Sequence, residues 1–134
     1  MKSREGDTSI GVDEEIRKSI RSLRALKDYS EENLVKDAER LAGYLWSVGS
    51  GLKTAQLRKI YGEVKRMDME FKRTKFDKDR IVLLKPKLAY AANRKDEVKP
   101  LKKVLDECID KVHDEADFKK FMSFFEAILA YYPR

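Results

Sequence analysis

Apolar residues in this chain return every three or four positions over almost its whole length, and they never alternate in twos for long enough to build a sheet. Ile16, Ile20 and Leu23 open the pattern. Leu34, Ala38, Leu41, Leu45 and Val48 continue it, followed by Leu57, Ile60, Tyr61, Val64, Met67 and Phe71. Ile81, Leu84, Leu88 and Ala92 form the next stripe, with Val82 and Ala89 widening it. Then come Val98, Leu101, Leu105, Cys108, Ile109 and Val112, and finally Phe118, Phe121, Met122, Phe125, Ile128, Leu129 and Tyr132. A period near 3.6 gives each helix one apolar stripe, and such stripes are buried only against one another. Six Gly and three Pro supply little of the turn chemistry an all-β fold needs. The expected fold is all-α, a compact bundle of about five to six helices.

Helix ends can be read from the same rules. Residues 1–12 are polar and without period, which predicts a flexible N-terminal arm, and residues 13–134 read as a single domain. Asp13, Glu14 and Glu15 put carboxylates in the first turn of the first helix. Ser30 is placed to cap the second, and Gly49-Ser50-Gly51 to stop it. Thr54 is expected to cap the third. The fourth should run from Asp77 to about Lys95 with Pro86 inside it, which removes a backbone hydrogen bond and predicts an interruption or kink. Asp96–His113 and Asp114–Tyr131 complete the set. Phe124 lies off the main stripe of the last helix. Either that helix sits centrally in the bundle or it offers a second face to another subunit.

Charge is distributed unevenly over this framework. The chain carries a net +6, yet residues 53–94 alone hold thirteen Lys/Arg against five Asp/Glu, a net +8. The excess therefore belongs to the third and fourth helices. A basic stripe on a rigid helical surface suits a phosphate backbone. The candidate contacts are Lys53, Thr54, Gln56, Arg58 and Lys59 on the third helix, then Lys85, Lys87 and Arg94 on the fourth. An ordinary solvated face gives the same pattern. Nothing in the sequence resembles a base-reading motif, so contact would follow the backbone with little sequence preference. Tyr61 and Tyr90 offer faces for base stacking, although aromatics at helical spacing more often belong to a core.

Residues for chemistry are few. The chain has one His and one Cys, and no glycine-rich phosphate loop. His113-Asp114 matches an HD dipeptide, but a metal-dependent phosphohydrolase of that kind needs further His ligands. Cys108 stands between Leu105 and Ile109 on an apolar face, where it acts as a small hydrophobe. Asp106 and Asp110, one turn apart, read as solvated carboxylates near lysines. A binding protein is expected, with no catalytic residue, metal site or cofactor. With no long apolar run and no signal peptide, the expected location is cytoplasmic.

Three runs carry a family resemblance. Lys53-Thr54-Ala55-Gln56-Leu57-Arg58-Lys59-Ile60-Tyr61 precedes Glu63-Val64. Leu83-Leu84-Lys85-Pro86-Lys87-Leu88-Ala89-Tyr90-Ala91 leads to Arg94. Phe121-Met122-Ser123-Phe124-Phe125-Glu126-Ala127-Ile128-Leu129-Ala130-Tyr131 ends the chain's last helix. Together, across about residues 30–132, they resemble the small helical subunit of the type III-A (Csm) CRISPR effector complex. Asn93 departs from the pattern, which more often has Gly before the Arg.

The resemblance implies a non-catalytic subunit in antiviral defence. Several copies would stack along the complex, lining a channel that holds guide RNA paired with target RNA, and single-stranded DNA is a further possible ligand. Its partners would be other effector subunits and further copies of itself, with no membrane involved. Base pairing would read sequence, leaving the protein to recognise shape and backbone. The second reading is a purely structural spacer whose lysines only keep it soluble.

Overall fold

The computed structural model describes residues 11–48 and 52–133. Among them are seven α-helical segments and no strand: α1 (Val12–Arg21), α2 (Glu31–Val48), α3 (Thr54–Arg73), α4 (Lys78–Val82), α5 (Leu84–Arg94), α6 (Lys99–Asp110) and α7 (Glu115–Tyr131). Single 3₁₀ turns cover Leu26–Asp28 and Asp96–Val98. The all-α bundle expected from the apolar period is what forms. No helix among the described residues is long and apolar enough to cross a membrane.

α7 occupies the centre because its aromatics point in more than one direction. Phe118, Phe121, Phe124, Phe125 and Ile128 are all buried. Phe124 meets Tyr29 at 5.4 Å between ring centroids, on the side of α2. Phe125 meets Tyr61 of α3 at 5.2 Å, and Phe118 meets Phe71 of α3 at 5.3 Å. The off-stripe Phe124 is thus explained by packing inside the bundle. α1 lies on α6, and α5 also packs on α6. Arg17 and Arg21 of α1 both reach Glu107 of α6, at 3.2 and 2.6 Å. The Arg21 hydrogen bond, with the nearby Arg17, holds the Glu107 carboxyl below the usual carboxylate range.

Helix ends follow local chemistry, with some corrections. Ser30 Oγ accepts the Asn33 N–H at 3.2 Å, the cap expected of it. Thr54 is not the cap of α3 but its first helical residue; Lys53 precedes it in extended conformation, and the Gln56 side chain accepts the Lys53 N–H at 3.3 Å. α1 begins at Val12, after Gly11, one residue earlier than Asp13. Of the proposed N-terminal arm, residues 1–10 lie outside the described residues, as does the Gly49-Ser50-Gly51 stop. The helix expected from Asp96 starts as a 3₁₀ turn and becomes α-helical only at Lys99, with Pro100 in its first turn where a missing N–H costs nothing.

α4 and α5 meet at Leu83, and Pro86 stands in the first turn of α5. A proline there cannot donate to the Val82 carbonyl and crowds it. Ile81, Leu84, Leu88 and Ala92 are buried as expected. Val82 and Ala89 do not widen that face: Val82 is exposed and Ala89 only half-buried. Each stands one residue beyond a buried position, which turns it about 100° away from the core.

Candidate nucleic-acid interface

A groove of about 500 Å³ is lined by residues of both α3 and α5, which Lys87 and Glu63 bridge at 2.8 Å. Its floor is apolar, with Ile60 from α3, Ala91 from α5 and Val98 beyond it. Its rim is polar and mostly cationic: Gln56, Lys59 and Glu63 from α3 face Lys87, Tyr90, Arg94 and Lys95 from the α5 side. The geometry follows from helix spacing. Gln56, Lys59 and Glu63 recur at three and four residues, as do Lys87, Tyr90 and Arg94, so each set occupies one face.

The eight candidate contacts divide on this geometry. Gln56, Lys59, Lys87 and Arg94 line the groove together. Lys53 stands exposed at the N-terminal end of α3, one turn from Gln56, and Thr54 beside it is half-buried. Arg58 is exposed but lies about 200° around α3 from Gln56, on a different side. Lys85 turns towards α6, where its ammonium pairs with Asp110. Lys65 shares the side of Arg58, while Arg66 is tied to Glu63 at 3.2 Å.

Glu63 is the main acidic group of the groove. Its carboxylate accepts from Lys87 at 2.8 Å across the groove and from Arg66 along α3. The Lys87 hydrogen bond is the chief reason its pKa lies below the usual value. Lys59 and Arg94 have no carboxylate partner among the described residues. Arg94 instead lies against Tyr90, with its guanidinium carbon 5.5 Å from the ring centroid and Nη1 3.4 Å from the phenol oxygen.

Two features of this groove go beyond the sequence reading, which offers Tyr90 as a stacking face but weighs a core position as commoner. Tyr90 is 65% exposed, the most open of the large apolar or aromatic side chains among the described residues. The signal was present: Tyr90 is two residues beyond buried Leu88, about 200° away on the helix. Tyr61, by contrast, is half-buried against Phe125, and its hydroxyl donates to Glu126 at 2.7 Å. The second feature is the ion pair from Lys87 to Glu63, which joins residues on separate helices and leaves no mark in local spacing.

The residues suited to chemistry take structural positions. The His113 backbone N–H donates to Asp117 at 2.8 Å, while Asp114 caps α7 and pairs with Lys27 at 2.6 Å. The HD dipeptide is therefore part of a helix start. Cys108 is buried, and burial pushes its thiol up, away from the thiolate form a nucleophile needs. Asp106 pairs with Lys102, and Asp110 with Lys85. Among the described residues, no group of three or more His, Cys, Asp or Glu could hold a metal ion.

No curated protein and no solved structure matches the chain. A family model does, over residues 28–133, which takes in α2 to α7 and both walls of the groove. The chain belongs to that family, Csm2 Type III-A, a small subunit of the type III-A CRISPR complex.

Proposed function

We propose that this subunit is non-catalytic and holds the backbone of the guide–target RNA in the α3–α5 groove, without sequence preference, as one of several stacked copies in a cytoplasmic effector complex. The observation that carries the reading is the meeting of Lys59, Lys87 and Arg94 from two helices around one groove. A row of cations on rigid elements neutralises successive phosphates while leaving base identity unread. Gln56 adds an amide donor, and Lys53 with Thr54 extends the track at the start of α3. Arg58 and Lys85 project elsewhere and stand outside the proposed track. Contact with a neighbouring subunit is supported by Trp46, 44% exposed and packed edge-on against Tyr132 at 6.0 Å.

A structural spacer is the second reading, and the pairing of Lys87 and Arg66 with Glu63 favours it. Salt dependence separates the two. Target-RNA binding by the assembled complex should weaken steeply as salt rises, by about 0.9 in log K per unit log salt for each phosphate contacted on a B-form duplex. A spacer gives no contribution to that slope, so a complex whose slope is the same with and without this subunit's groove cations contradicts RNA contact.

A further inference from the structure

We propose that the groove holds an unpaired RNA base, stacked on Tyr90, in addition to the backbone. This rests on the reading of the groove as an RNA-backbone site and names the part of the nucleotide that enters it. Three observations combine. Tyr90 presents an aromatic ring that is 65% exposed at the edge of an apolar groove, where water gains nothing from it. The Arg94 guanidinium lies over one face of the same ring, 5.5 Å from its centroid, so a cation already stacks there and a base would take the opposite face. The floor of Ile60 and Ala91 is apolar, whereas the rim carries Lys59, Lys87 and Arg94. A phosphate alone would be served by the rim and would leave the apolar floor uncovered.

A nucleotide satisfies both parts at once. Its base has a flat apolar face for Tyr90 and the groove floor, and its phosphate meets the cations. Stacked bases of a duplex cannot enter, because their faces are covered by neighbours. The occupant is therefore a base from a single strand, or one turned out of a duplex. Gln56 is half-buried at the rim, and with its amide oxygen accepting the Lys53 N–H its amide nitrogen is left to meet such a base. A protein segment is less well matched: the cationic rim needs an anion at a fixed distance from an aromatic-sized apolar group.

The test compares binding of two short single-stranded oligoribonucleotides by the full-length protein at low salt. One carries all its bases; the other is abasic at its central positions, with the same phosphates. The wild type should bind the complete oligonucleotide about tenfold more tightly. Tyr90→Phe should keep that preference, and Tyr90→Leu should lose it without changing the salt slope. Equal binding of both oligonucleotides by the wild type, with a steep salt response, would overturn base stacking and leave backbone contact standing. A flat salt response would overturn the backbone reading itself, and stacking with it. If Tyr90→Leu leaves RNA preference intact but prevents assembly of the complex, the groove belongs to a protein neighbour and the proposal fails.

Discussion

Single carboxylates decide much of the local behaviour here. Asp117 is fully buried, yet its oxygens accept from the backbone N–H groups of Lys27, His113 and Asp114, which joins the turn before α2 to the start of α7. Glu107 plays the corresponding role between α1 and α6. Its folded pKa lies below the ordinary 4.5, chiefly through the Arg21 hydrogen bond, so the stability it adds is complete above that value and fades as pH falls through the lowered one. Glu107→Gln should remove part of the loss of thermal stability below pH 4.5, read as a flatter acid limb of Tm against pH; an unchanged limb contradicts the assignment. Glu63 is a different case, because it occupies Lys87 in the groove where a phosphate would sit. Glu63→Gln should raise RNA affinity a few-fold and steepen the salt slope, both read from binding curves at several salt concentrations. Glu63 and Lys87 come from different helices, so their competition was not legible in the sequence, although each residue was.

At the level of elements, the helices were legible because apolar spacing and capping chemistry are local. Ser30, Leu34, Ala38, Leu41 and Leu45 specify α2 without reference to any other part of the chain. Misreadings fell where two local signals compete. Thr54 has the chemistry of a cap, but Gln56 reaches back to Lys53 and the helix takes Thr54 into its first turn. Asp96 can start a helix, but the proline at position 100 fits the first turn of an α-helix starting at Lys99. α7 is the element on which the bundle depends, and its two faces should respond differently to substitution. Phe124→Ala removes a buried ring packed on Tyr29 and should cost about 3–5 kcal/mol in chemical denaturation. Tyr131→Ala, at a 43% exposed position of the same helix, should cost less than about 1 kcal/mol. Equal losses would mean that α7 is not central.

For the whole molecule, the positive excess of residues 53–94 was visible in the sequence, but its direction was not. Arg58 and Lys59 are neighbours in the chain and point about 100° apart, and only the position of α5 decides which of them faces a groove. Lys85 and Lys87 diverge in the same way, one towards Asp110 of α6 and the other across to Glu63 of α3. Net charge alone therefore predicts a diffuse attraction, whereas the fold concentrates Lys59, Lys87 and Arg94 in one place. The most direct test sets two charge-matched double variants of the assembled complex against each other. Lys59→Ala/Arg94→Ala should flatten the salt dependence of target-RNA binding by between about one and two units of log K per log salt, while Arg58→Ala/Lys65→Ala should leave it close to wild type. Equal flattening by both pairs, or flattening by Arg58 and Lys65 alone, would contradict the groove as the place where RNA is held.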